Sequence, residues 1–142
     1  MTTLKVEILS PEAALWSGAA SALVARSSEG DFTVLAGHTA TVGDIVSSVV
    51  RVQTSDEGEI AFAVHTGFFQ VAKGLEPDTT LATVLASVAE RTTEIDVTRA
   101  HRAKDEAEAR LAAATKAEDG REEILAQAAI DRAELRLRVA AK

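Results

Sequence analysis

The residues best equipped for chemistry lie in the last third of the chain. In the stretch EIDVTRA, Glu94 to Ala100, an acid (Asp96) and an arginine (Arg99) stand three residues apart, where a β-like pattern gives way to a helical one. That spacing suits an i, i+3 pair at a helix start. Thr93 followed by Asp96 also fits the Ser/Thr-x-x-Asp/Glu capping pattern, with Thr93 as the cap. The same residues could form half of a binding site. Arg132 and Arg136, spaced i, i+4, share a helix face, and guanidinium groups make charge-assisted bonds to anionic oxygens.

Catalytic constellations are missing elsewhere. His38, His65 and His101 are far apart, without the HxxxH or HExxH spacing of a metal site. His101 reads as a solvated helix residue and His65 as a turn residue beside Gly67. His38, in the loop LAGHTA, is a candidate for partner contact. Cysteine is absent, which excludes a disulfide, a thiolate metal site and a cysteine nucleophile and suits a reducing compartment. There is no GxSxG elbow, phosphate loop or dinucleotide fingerprint. No pair of acids lies inside an apolar run, where a raised pKa would point to acid–base work. Composition alone describes a non-catalytic module.

The elements that must position these residues follow from the bulk of the sequence. The 142 residues suit one average domain, or one small domain with an appendage. Aromatics are few (Trp16, Phe32, Phe62, Phe68 and Phe69), so the core is expected to be built from Val, Leu, Ile and Ala. No apolar run approaches the ~20 residues of a membrane span. The N-terminus begins as an alternating strand and not as a signal peptide. The expected chain is soluble and unexported, without direct membrane insertion, and reaches a membrane only through a partner. A net charge of −7 argues against nucleic acid as a partner. The excess acid lies in residues 1–93, at −6, whereas residues 120–142, with Arg121, Arg132, Arg136, Arg138 and Lys142, carry +1.

Two periodicities divide the chain. Up to Leu85 the period is two: Leu4, Val6 and Ile8 alternate with Lys5 and Glu7, and strand-length runs follow at 22–25, 31–35, 45–54, 59–64, 68–72 and 80–86. Turn material such as SSEG, AGH, SDEG, HTG and LEPD separates them, and Gly58 can take the positive φ of a hairpin turn. This predicts an N-terminal antiparallel β-sandwich or barrel over residues 1–88. From Glu94 onward the pattern changes to steps of three and four, and residues 89–142 are read as the second domain. Ala100, Ala103, Ala107, Leu111 and Ala114 form one helical stripe; Ala126, Ile130, Ala133, Leu137 and Ala140 form another. With Gly120 read as the stop between them, the prediction is a C-terminal antiparallel two-helix hairpin. Each Ala in place of Leu forgoes roughly 2.4 kcal/mol of burial at ~0.8 per methylene. Such a hairpin is stable as helix and weakly held as a pair, which suits an element with two positions; a permanently folded hairpin fits the stripes equally well.

Several stretches resemble the epsilon subunit of bacterial F-type ATP synthases, called delta in mitochondria. LKVEILSPEAALWSGAAS is similar to that family's opening strand, acidic turn and aromatic-Ser-Gly step. SSEGDFTVLAGHTA is similar to its acidic loop leading to a Gly-His pair, and FAVHTGFFQV to its strand pair. EIDVTRA matches its helix start, and RAELRLRVA its C-terminus. The family loop usually reads Gly-Ile-Leu-Pro-Gly-His-x-Pro-Leu; here Thr33 to Thr41 keeps Gly37-His38 but lacks both prolines, which should loosen it. The resemblance implies a non-catalytic rotor subunit at the cytoplasmic face of the bacterial cell membrane. Its sandwich would bind the gamma subunit and rest on the c-ring, with Asp31 and His38 as contact positions. Its helices would restrain ATP hydrolysis by reaching the alpha/beta catalytic sector.

In some bacterial relatives the segment Ile/Leu-Asp-x-x-Arg-Ala helps to bind one regulatory ATP. Ile95, Asp96, Arg99 and Ala100 match it, Glu90 matches a further acid, and Arg132 and Arg136 match two arginines of the second helix. Those relatives carry another arginine seven residues after the motif arginine, where this chain has Glu106. No cofactor is otherwise required. The competing class is a free-standing nucleotide-binding sensor module, whose hairpin would close over the ligand.

Overall fold

The structure, a computed structural model, describes residues 2–140; Lys142, counted above among the basic residues, lies outside them. Nine strands come first: β1 (Thr3–Leu9), β2 (Ala14–Ser27), β3 (Gly30–Val34), β4 (Thr41–Ile45), β5 (Ser48–Thr54), β6 (Glu59–Val64), β7 (Gly67–Lys73), β8 (Thr79–Ala86) and β9 (Ala89–Arg91). A single 3-10 turn, Thr92–Glu94, leads to the helices α1 (Val97–Lys116) and α2 (Gly120–Val139). The chain divides into two compact units, Met1–Arg91 and Thr92–Lys142. The change falls after Arg91 because Ala89–Arg91 pairs with β6 and extends the sheet past the expected boundary at 88/89.

The strand order is β4-β7-β8-β1-β2-β5-β6-β9, with β3 also on β2. β2 is the strand that makes a sandwich of this order. Its first half pairs with β1, from Ala14 to Ala20, and its second half pairs with β5 and β3. A register shift between Ala20 and Ala22 separates the halves, so one long strand passes from one layer to the other. All pairings are antiparallel except β1 with β8, which runs parallel. Between the layers lie Val6, Ile8, Leu23, Val34, Val50, Val52, Phe62, Val71 and Val84, with Phe32 packed on Phe69 at a ring-centroid distance of 4.3 Å. The core is aliphatic, as so few aromatic residues require. His65, read above as a turn residue, is buried at the end of β6.

The β5–β6 hairpin closes as expected at Gly58, whose φ is +71°. Thr54 N donates to Gly58 O at 2.9 Å, and the Thr54 hydroxyl accepts from Glu57 N at 2.8 Å. The helical turn differs from expectation. Gly120 is the first residue of α2, and Glu118 takes the left-handed conformation at φ +54°. Glu118 N donates to Thr115 O and Asp119 N to Ala114 O, the bond pattern of a Schellman stop, and Asp119 caps α2 by accepting from Glu122 N. Glycine suits that left-handed position better than any side chain. Glu118→Gly is therefore expected to stabilise the hairpin by about 0.5–1 kcal/mol, read as a higher midpoint when helical circular dichroism is melted.

Within the helical unit, Ala100, Ala107 and Ala114 are buried on α1 and Ala126, Ile130 and Ala133 on α2, while Ala103, Leu111 and Leu137 are half-buried. Leu135, outside the expected stripe, is also buried. Arg110 makes two bonds to Glu122 Oε1, at 3.0 and 2.6 Å, across the turn end of the hairpin. The cation and the acid are both half exposed, so the small alanine seam carries most of the pairing.

Candidate functional site

EIDVTRA is a helix start whose cap is Asp96. Its extended backbone (φ −85°, ψ 100°) leads into α1, and its Oδ1 accepts from Arg99 N at 3.0 Å. Thr93 lies inside the 3-10 turn and is exposed, so the expected Thr93 cap is not formed. The link between Asp96 and Arg99 is likewise made by the backbone amide of Arg99 and not by its guanidinium. Ala100 is buried in the seam, Ile95 is half-exposed, and the Arg99 side chain is exposed.

The last turns of α2 return beside the first turns of α1, because the two helices run antiparallel from a three-residue turn. Arg132 there is exposed and Arg136 is half-buried. The helical unit therefore places Asp96 and Arg99 at the start of α1 and Arg132 and Arg136 in the last two turns of α2. Glu106 is exposed on α1. Glu90 belongs to the other unit, on β9, in register with Ala63.

On the sandwich, Asp31 lies on β3 opposite Arg26 of β2. Arg26 Nε donates to Asp31 Oδ1 at 2.6 Å, and this hydrogen bond and charge hold the carboxyl below the usual carboxylate range. Asp31 is thus an anion at neutral pH, not a proton donor, with its side chain 66% exposed. The hairpin tip beside it is pinned: Ser28 N and Ser28 Oγ donate to the two oxygens of Asp44 at 2.9 and 3.0 Å, and Val46 N donates to Arg26 O. Asp31 and Glu29 are therefore displayed on a braced turn.

His38 is exposed in the loop between β3 and β4. The loop is held without its prolines. Gly37, at φ +85°, donates its N–H to Thr80 Oγ1 at 2.8 Å, and His38 N donates to Leu35 O. His38 and the 73–80 turn line one cleft.

The sequence reading missed an apolar row on the outer face of the sheet. Leu9, Leu85 and Phe68 are direct partners across β1, β8 and β7, with Asp44 next in line on β4. Phe68 is 62% exposed and Leu85 47%. They line a groove with Pro11, Ile45 and Ala86. The signal was the doublet Phe68-Phe69: consecutive residues of a strand face opposite sides, so one of the two had to point away from the core. Among the described residues no group of three or more His, Cys, Asp or Glu is placed to hold a metal, and no helix is long and apolar enough to cross a membrane.

A β-sandwich followed by a helical hairpin, with an exposed apolar row and a braced acidic turn, defines a binding module whose work is done by its surfaces. Residues 3–92 match the beta-sandwich domain of the ATP synthase delta/epsilon chain, and residues 93–141 match the long alpha-helix domain of the same chain. The chain belongs to the delta/epsilon family of ATP synthase subunits, and is a non-catalytic subunit. It is 36% identical to the ATP synthase epsilon chain of Ruminococcus albus over 143 aligned positions, covering 100% of this chain and 99% of that one. It is 41% identical to the epsilon chain of Streptomyces griseus over 100 positions, 70% of this chain and 76% of that one. Its fold is similar to a chain in the Euglena gracilis mitochondrial ATP synthase, at a TM-score of 0.74 and 21% identity, covering 95% of this chain and 79% of that one.

Proposed function

We propose that the chain is the central-stalk subunit that couples gamma to the c-ring at the cytoplasmic face of the cell membrane. The carrying observation is the exposed row Leu9–Leu85–Phe68, which suits a gamma-binding surface because contiguous apolar side chains on a soluble protein mark contact sites. The braced Asp31–Glu29 turn suits polar loops of the c-ring, and His38 suits a contact near gamma. The weakly held, alanine-seamed hairpin suits a regulatory element. Extended, its second helix, with Arg121, Arg132, Arg136 and Arg138 interleaved with four acids, would meet the alpha/beta catalytic sector and restrain hydrolysis. The experiment is purification of the tagged chain from its own cells. Gamma and c subunits are expected to co-purify, and Asp31→Lys with Glu29→Lys is expected to lose the c subunits while keeping gamma. Recovery of the chain without gamma would overturn the reading in favour of a free-standing sensor.

Regulatory ATP is a separate part of the proposal. It rests on Arg99, Arg132 and Arg136 of the helical unit, with Ile95, Asp96 and Ala100 as the remaining members within that unit. Calorimetry of the isolated chain with millimolar ATP is expected to give heat that Arg99→Ala removes. No heat at that concentration would reject the site.

A further inference from the structure

β9 is the last element of the sandwich and the last strand in the sheet order. It has three residues, pairs only with β6, and ends at Arg91, beyond which the helical unit begins. A strand this short should fray from its end. Its start is secured, since His65 N donates to Val88 O and Ser87 N to Thr66 O. Its far end is held by side chains. The Arg91 guanidinium stands over the Phe62 ring, 5.8 Å from its centroid, and Arg91 Nη2 is 3.9 Å from Glu57 Oε2. The same carboxylate oxygen accepts from Trp16 Nε1 at 3.0 Å.

Each of these partners is itself fixed. Glu57 sits in the β5–β6 turn, where its N–H donates to Thr54 Oγ1 and Thr54 Oγ1 donates to Gly58 O. The Trp16 indole lies against Gly18, where a Cβ would come within 2.9 Å of the ring. One carboxylate thus gathers the early part of β2, the β5–β6 turn and the final residue of the sheet.

We propose that Glu57 is a clasp on Arg91 that keeps β9 in the sheet and so sets the length of the connection between the two units. When the clasp opens, β9 leaves β6 and the connection gains three residues, about 10 Å of extended chain. The inference rests on the sandwich alone and stands whether or not the stalk reading does. Because Arg91 and Glu57 are 30% and 49% exposed, the clasp is weak and sensitive to salt, as a reversible latch should be.

The test uses the full chain and limited trypsin, which cuts after Arg91 only when β9 is open. Cleavage there follows the population of the open form. Glu57→Gln keeps an acceptor for Trp16 but removes the charge. It is expected to speed cleavage after Arg91 two- to fivefold, the range for an exposed ion pair, and to raise amide exchange across residues 89–91 by the same factor. Exchange in β5 should not change. Glu59→Gln makes the same charge change in the same hairpin, on a carboxylate whose partners are Arg51 and Gln53. It should leave Arg91 cleavage at the wild-type rate. Raising sodium chloride to high concentration should bring the wild type toward the Glu57→Gln rate and leave the variant unchanged. Equal cleavage and exchange in wild type and Glu57→Gln would overturn the clasp, as would an equal acceleration in Glu59→Gln.

Discussion

Alanine at Gly67 is expected to lower the melting temperature of the sandwich by on the order of 15 °C, from a cost of about 2–3 kcal/mol at several degrees per kcal/mol. A Cβ at this position would lie 3.0 Å from Ala86 Cα and closer still to Leu85 O. Both obstacles are backbone of β8, which is fixed on its other edge by β1. Gly67 pairs with Ala86 on one side and Ile45 on the other, so β7 cannot shift away without disturbing two ladders. Thr66 before it already holds φ +66°, which leaves the approach to β7 little freedom. Gly43 is a useful contrast. The nearest atoms to a Cβ there belong to the Phe69 ring, a side chain and not backbone, so Gly43→Ala should cost less than Gly67→Ala. Thermal melts followed by the fluorescence of Trp16, the chain's one tryptophan, would rank the two. A Gly67→Ala protein that melts with the wild type would mean that β7 and β8 are not pressed together at this point.

The architecture was legible in the sequence where side chains alternate without interruption. Leu4, Val6 and Ile8 are all in the core, and the change of period near Glu94 marks the onset of helix. Three features were hidden. The run IVSSVVRVQT reads as one strand, yet β4 ends at Ile45 and β5 begins at Ser48, because Ile45 pairs with Gly67 while Ser48 pairs with Val64. LWSGAAS, with its small and polar residues, fell outside the strand-length runs, whereas it is the first half of the long β2, where glycine is needed to admit the Trp16 ring. Ala89–Arg91 has no periodicity to detect at three residues and is a strand only because β6 offers an edge.

The helix signals were ambiguous for a different reason. Thr93 and Asp96 satisfy a capping pattern together, but Asp96 caps equally well alone, and sequence does not rank the two registers. Gly120 resembles a helix stop, yet a residue in the left-handed conformation was needed two places earlier, and Glu118 adopts it under the constraint of the two Schellman bonds. The arginines of the candidate anion site were visible as an i, i+4 pair; that the Asp96 carboxylate is engaged by a backbone amide was not. The apolar row escaped notice because its members are far apart in sequence and become neighbours only through the pairing of β8 with β1 on one side and with β7 on the other.

That row carries the largest functional expectation. Phe68→Asp combined with Leu85→Asp should weaken binding to gamma roughly a thousandfold, since two buried anchors at about 2 kcal/mol each amount to about 4 kcal/mol. Asp44 stands at the end of the same row, so the new carboxylates would turn an apolar strip into an acidic one, and burying them against a partner would leave charge desolvated. Both side chains already face water in the free chain, at 62% and 47% exposure, so the fold should lose little, within about 0.5–1 kcal/mol, and the melt should confirm that a folded protein is being tested. Val42 supplies the internal comparison. It is 73% exposed on the edge strand and sits one row away, opposite Gln70, at the rim of the patch. Val42→Asp should change affinity only a few-fold, because rim contacts exclude water more than they bind. Titration of purified gamma against the three proteins by calorimetry separates the outcomes. A thousandfold loss in the double variant with Val42→Asp nearly unaffected places gamma on this row. Equal affinities for all three would move the gamma surface elsewhere on the sandwich and leave the Leu9–Leu85–Phe68 row without the role assigned to it.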